Sequence, residues 1–87
     1  MKKITMFILS SCPYCKQALR LTEALRKENS YKEVEIEIID ESLHPDIANK
    51  YDYYYVPTYY VGGKKLHEGA ASPKIVKHVF DAALEKE

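Results

Sequence analysis

The tightest constraint on this 87-residue chain is a junction near its start. Ile4 to Leu9 is apolar except for Thr5, partly β-branched and aromatic, and only six residues long. A run this short, with no polar face, reads as a strand buried on both sides rather than a helix. Ser10 and Ser11 interrupt it, and Cys12-Pro13 opens a helix. Proline suits the first helical position because its missing N–H would have no intrahelical partner there. Ala18, Leu21 and Leu25 recur at helical spacing to about Lys27, and Asn29-Ser30 closes that element. Val34 to Ile39 then alternates, with Val34, Ile36 and Ile38 set against Glu35, Glu37 and Ile39. That pattern is a strand with one more polar face, near a sheet edge. Strand, helix and strand in this order make a parallel, right-handed βαβ unit.

The second half supplies the rest of a sheet. Asp40 to Pro45 is a loop, and Pro45 opens a short helix ending near Lys50 or Tyr51. Pro57 to Val61 is strand-like, Gly62-Gly63 is a hairpin signal, and Lys64 to His67 returns. Ser72-Pro73 starts a final helix, with Ser72 as N-cap and Pro73 behind it. Ile75, Val76, Val79, Phe80, Ala83 and Leu84 form its apolar face. The order is βαβ-α-ββ-α, an α/β class chain with a four-stranded mixed sheet flanked by helices, in one domain over residues 1–87.

Charge and cysteine content narrow the function. Thirteen basic and 13 acidic side chains cancel, so the overall balance gives no field to hold a nucleic acid or an anionic membrane. The N-terminal Met1-Lys2-Lys3, apolar run and Ser10-Ser11-Cys12 imitate a secretory leader, but the apolar part is shorter than the ~7–15 residues such a leader needs. There are two cysteines, Cys12 and Cys15, three positions apart. A bridge between them closes too small a loop to stabilise the fold much, so the pair points to chemistry.

Cys12-Pro13-Tyr14-Cys15 stands where a buried strand hands over to a helix. Free backbone N–H groups and the positive end of the helix dipole favour a thiolate on Cys12. The thiolate is the nucleophile of disulfide exchange. Cys12 is expected at the helix tip as the attacking thiol, with Cys15 deeper as the resolving one; Lys16 either adds positive charge nearby or is a plain surface lysine. A metal site is the rival use of the pair. Zinc and iron–sulfur centres take four protein ligands as a rule, and His44, His67 and His78 offer no second close pair, so the expected metal ligands are none. A cluster shared between two chains, and a non-catalytic interaction module, are the readings of other classes.

A second constellation, Val56-Pro57-Thr58, precedes the third strand. In this architecture the proline lies beside the helix tip that carries Cys12. A cis Val56–Pro57 bond is expected there, with the Val56 backbone groups turned outward to pair with an extended substrate. An ordinary trans proline opening an edge strand fits the residues almost as well. Tyr53, Tyr54 and Tyr55 either rim that groove or pack on the sheet with their hydroxyls in water. Tyr59 and Tyr60, adjacent on a strand, must face opposite sides.

With these residues in hand, the chain resembles the thioredoxin superfamily over nearly its whole length, and the glutaredoxins in the active site. Cys12-Pro13-Tyr14-Cys15 is the dithiol glutaredoxin motif, and Val56-Pro57 matches the superfamily's cis-proline position. The resemblance implies a thioredoxin-like, glutaredoxin-like fold and a cytoplasmic, monomeric reductant of protein disulfides or glutathione mixed disulfides. It implies Cys12 as nucleophile and Cys15 as resolving thiol, with Pro13, Tyr14, Val56, Pro57 and Thr58 along the thiol-substrate groove. No bound cofactor is implied, and glutathione is the expected co-substrate. Two departures stand out. Leu9 occupies a place where many glutaredoxins carry a basic residue, and Leu66-His67-Glu68-Gly69-Ala70-Ala71 replaces the usual Gly-Gly and acidic residues after the hairpin. Ala48-Asn49-Lys50-Tyr51, Pro57-Thr58 and Gly69 to Ser72 look like the later half of a thioredoxin, though the chain has no Trp. A thioredoxin reductase is therefore the alternative electron donor to glutathione.

Overall fold

The computed structural model of the protein describes residues 1–85. The elements are β1 (Ile4–Ile8), α1 (Pro13–Arg26), a short 3₁₀ turn (Asn29–Tyr31), β2 (Ile36–Asp40), α2 (Pro45–Ala48), β3 (Thr58–Val61), β4 (Lys64–Glu68) and α3 (Pro73–Leu84). The expected βαβ-α-ββ-α order is present, with the 3₁₀ turn in addition. The strands form one sheet in the order β2-β1-β3-β4. β1 pairs parallel with β2 and antiparallel with β3, and β3 pairs antiparallel with β4.

All five residues of β1 are buried, as a central strand with both faces covered requires. Ile4, Met6 and Ile8 face the larger core, which also holds Cys15 and Ala18 of α1, Tyr59 and Val61 of β3, and Val76, Val79, Phe80 and Ala83 of α3. Phe7 points the other way, into a smaller core with Ile39, Ala48 and Tyr60. Tyr59 and Tyr60 thus face opposite sides, and both are buried.

Two details depart from the sequence pattern. β2 begins at Ile36, not Val34, because Val34 is still in the turn that follows the 3₁₀ segment, its N–H bonded to the Tyr31 carbonyl at 3.1 Å. Val34 is buried all the same, and Tyr31 anchors the turn to α3 through its hydroxyl on Asp81. On β2 itself Ile39 is buried and Ile38 is exposed, the reverse of the alternation read from sequence. The smaller core covers Ile39, whereas on the other face the larger core reaches Ile36 and leaves Ile38 bare.

The hairpin carries the most consequential irregularity. Gly62 and Gly63 have φ of 58° and 86°, the left-handed values a two-residue turn of this kind demands. Register then slips between Tyr59 and Tyr60: Tyr60 pairs with Lys65 and Tyr59 with His67. Leu66 is therefore the extra residue of a bulge. In a regular strand Lys65 and Glu68, three apart, would point to opposite faces. The bulge puts both on the face shared by Tyr60 and Thr58.

One polar pair is sealed inside the larger core. Thr22 and Tyr59 are both fully buried, and their hydroxyl oxygens are 3.0 Å apart. Thr22 gives its one proton to the Ala18 carbonyl at 2.8 Å, so Tyr59 donates to Thr22. The two side chains are not equivalent under mutation. Tyr59→Phe leaves Thr22 paired with Ala18 and is expected to cost about 1 kcal/mol, whereas Thr22→Val strands a buried phenol and should cost more, up to about 3 kcal/mol. Urea unfolding of the reduced protein measures both, and an equal or larger loss for Tyr59→Phe contradicts the assigned donor direction.

Candidate functional site

The turn from β1 into α1 places the two cysteines. Cys12 is the N-cap of α1, with φ −84° and ψ 123°, and Pro13 follows at the first helical position. The Cys12 N–H returns to the Leu9 carbonyl at 3.1 Å, which tightens the turn. Both cysteines are free thiols; Cys12 is half-buried, and Cys15, three residues into the helix, is fully buried. Tyr14, between them, is 59% exposed.

Their environments pull the two thiols apart. The backbone N–H groups of Cys15 and Tyr14 face the Cys12 sulfur and, with the Cys15 side chain, lower its pKa from the ordinary 9.0, the Cys15 N–H contributing most. No capping hydrogen bond is closed on the uncharged thiol, so these groups act on the thiolate. Lys16 is exposed, and the lowering comes from the helix start rather than from that expected charge. Burial pushes the Cys15 thiol up to about 11. The neighbouring Cys12 and the Glu41 carboxylate push in the same direction, and the Leu9 N–H, 3.4 Å from the Cys15 sulfur, offsets part of the effect.

The second constellation is built as the sequence suggests at two positions of three. The Val56–Pro57 peptide is cis, Val56 is half-buried, and Pro57 is buried. Thr58 differs from the groove-lining role expected of it. It is fully buried and its hydroxyl donates to the Tyr55 carbonyl, so it shapes the loop from beneath.

Glu68, to which the sequence reading gave no role, holds that loop. Its carboxylate accepts the backbone N–H groups of Tyr54 and Tyr55, the latter at 2.8 Å, and Lys65 closes on its other oxygen at 2.7 Å. Gly69 adds an N–H to the Pro57 carbonyl at 2.8 Å. The sequence signal for this clamp is slight: a carboxylate at the end of a hairpin arm, three residues from a lysine. The three tyrosines divide. Tyr53 stacks on Phe7, with ring centroids 4.8 Å apart, while Tyr54 and Tyr55 project into solvent with their N–H groups pinned.

Among the described residues no group of three His, Cys, Asp or Glu side chains is placed to hold a metal ion, and no helix is long and apolar enough to cross a membrane. A two-cysteine motif on the helix that follows a central strand, opposite a cis-proline loop, defines a protein of thioredoxin-like fold with a dithiol site.

Comparison with known proteins gives the same class. The chain belongs to the family described as "Thioredoxin domain", whose family model matches residues 2–81. No curated protein is a significant match to the sequence. Among solved structures, the chain is similar to one titled as the structure of a malarial protein, at 17% identity and a TM-score of 0.77, over 98% of this chain and 99% of that one. It is also similar to Fasciola hepatica thioredoxin, at 21% identity and TM-score 0.74, covering 94% of this chain and 80% of that one. Oxidised Plasmodium falciparum thioredoxin matches at 21% identity and TM-score 0.71, over 93% and 79% of the two chains. Identities this low establish the shared fold.

Two outcomes check the electrostatics. At pH 6, iodoacetamide should label Cys12 faster than Cys15 by more than about tenfold, because the lowered pKa leaves more Cys12 as thiolate while Cys15 stays protonated. The Cys12 rate should level off below pH 9 and the Cys15 rate should still be rising above it; equal, slow labelling contradicts the activated thiol. The Glu68 carboxylate is held down to about 2 by Lys65 and the two tyrosine amides. Its charged form is the bound form. The clamp's contribution is therefore fully present above the ordinary 4.5, declines below it and is gone once pH has fallen through about 2. The Tyr54 and Tyr55 amide resonances should show no titration step between pH 6 and pH 3.5, and a step near 4.5 contradicts the clamp.

Proposed function

We propose that the protein is a thiol–disulfide oxidoreductase that reduces disulfides in other polypeptides, with Cys12 as the attacking and Cys15 as the resolving thiol. The observation that carries this reading is the opposite displacement of two thiols three residues apart, one lowered at a helix start and one raised by burial. The Cys12 thiolate attacks one sulfur of the substrate disulfide; a mixed disulfide forms and the other substrate sulfur leaves as a thiolate. Cys15 gives up its proton and attacks Cys12, which forms the Cys12–Cys15 disulfide and releases the second substrate thiol. Two electrons pass from the dithiol to the substrate. Tyr14 and the backbone of Val56 flank the incoming chain, and among the described residues neither the N–H nor the carbonyl of Val56 forms a hydrogen bond, which leaves both free for strand-like pairing. Pro13, exposed at the helix start, and the buried Pro57 set the shape between them.

A donor must return the two electrons. Two observations favour a flavin-dependent thioredoxin reductase over glutathione. Leu9, half-buried, gives no cation for a glutathione carboxylate, and the acidic residue after the hairpin, Glu68, is already committed to Lys65 and the Tyr54 and Tyr55 amides. The Cys-Pro-Tyr-Cys tetrapeptide favours the second reading, a glutathione-recharged protein. Either donor belongs to the reducing cytoplasm, where this reading places the protein.

The test is the rate at which the oxidised dithiol is opened, followed by thiol release at neutral pH. NADPH with thioredoxin reductase is expected to reduce it at least about tenfold faster than millimolar glutathione, and Cys12→Ser should abolish disulfide reduction. Fast opening by glutathione alone transfers the assignment to the second reading. Disulfide reduction that persists in Cys12→Ser defeats both.

A further inference from the structure

A cleft of about 320 Å³ opens on the α2 side of the sheet, lined by Glu41, Asn49, Tyr51, Tyr53 and Tyr54 among others. Its walls are phenol rings and its one acidic side chain is Glu41. That carboxylate is half-buried, accepts the Tyr53 hydroxyl at 2.9 Å, and takes part in none of the ion pairs among the described residues. The Tyr53 hydrogen bond fixes the direction of the carboxylate and leaves its second oxygen uncommitted. Tyr51 and Tyr53 are held by packing on Phe7, with centroids 4.6 and 4.8 Å away. Tyr54 is 87% exposed, yet its backbone is pinned by Glu68, so the ring stands at the cleft mouth on a fixed base.

A carboxylate flanked by electron-rich ring faces is a receptor for a cation, and for a guanidinium above others, which stacks on phenols and pairs with carboxylates. The topology puts the receptor beside the dithiol. β1 and β2 are parallel neighbours, so the segments leaving them emerge at the same end of the sheet. Cys12 lies on the segment after β1, and Glu41 is the first residue after β2, its N–H bonded to the Ile8 carbonyl at 3.0 Å. The charge of Glu41 also reaches the Cys15 sulfur. On the other side Tyr54 and Tyr55 run directly into Val56.

We propose that this Glu41–tyrosine cleft is a specificity subsite that seats the basic side chain, arginine before lysine, of a substrate polypeptide close to the disulfide that Cys12 attacks. This deepens the exchange reading of the same site and rests on it. A substrate strand lying along Val56 projects neighbouring side chains alternately to its two sides, so only some spacings between arginine and half-cystine reach the cleft.

The experiment is single-turnover reduction of short peptide disulfides by the pre-reduced full chain. Arginine is placed at successive positions on either side of the half-cystine, and each peptide is compared with its citrulline twin, which is neutral and nearly isosteric. At one or two positions the arginine peptide should react roughly fivefold faster at low salt, the size expected of an exposed ion pair joined by a cation–π contact. The advantage should fade in about 0.5 M salt. It should fall to parity in Glu41→Gln and shrink in Tyr54→Leu, whose exposed side chain the fold does not need. A ratio of one at every position in the parent overturns the subsite, and so does an advantage that survives Glu41→Gln, since arginine would then be acting only on its own cystine. If neither peptide of any pair is reduced, the exchange reading itself fails and the subsite falls with it.

Discussion

Everything at this site hangs on the burial of β1. A strand covered on both faces cannot shift by a residue without sending Phe7 into the larger core and Met6 into the smaller. Its end point is therefore fixed, and the turn through Ser10 and Ser11 delivers Cys12 to the start of α1 at a fixed place. The helix in turn is held by Cys15, Ala18 and Thr22 beneath it. Reactivity follows from that placement. The same helix start that leaves N–H groups free for Cys12 carries Cys15 inward, where burial favours its protonated form.

The parts of the fold written in short-range pattern were legible. The β1 run, the Pro13 and Pro73 helix starts, the Ser72 cap and the Gly62-Gly63 turn depend on neighbouring residues alone, and each is found where it was expected. Ser72 accepts the Ile75 N–H at 3.3 Å. The dithiol was legible for the same reason, since strand, Cys-Pro and helix are contiguous. What the sequence hid depends on partners far along the chain. Ile38 and Ile39 are chemically alike, and only the position of α1, α3 and the smaller core decides which is covered. Thr22 and Tyr59 lie 37 positions apart, and nothing local marks them as a pair.

The site divides along the same line. Cys12, Cys15, Val56 and Pro57 sit in motifs, whereas Glu41 and Glu68 are two of 13 acidic side chains that no local pattern sets apart. Their roles come from tertiary placement: Glu41 from the parallel pairing of β1 and β2, Glu68 from the hairpin. Thr58 shows the converse. It stands within a motif, yet its hydroxyl turns inward to Tyr55.

The bulge at Leu66 gives the hairpin an unequal tolerance to change in length. Loop segments on the surface generally absorb insertions and deletions with little consequence. β4 is an edge strand, largely solvated, and by that standard a gene that gained or lost one codon there would still encode a closed sheet. Loss of Leu66 would leave Lys65 and Glu68 two apart on a regular strand, where alternation keeps both on one face. A residue gained between Lys65 and Glu68, however, would turn one of them to the opposite face, and the loop before Pro57 would lose its counter-ion support while the core stayed intact. Reading-frame-preserving length variation in this hairpin is thus a route by which descendants of the fold can loosen or retune substrate contact without touching either cysteine.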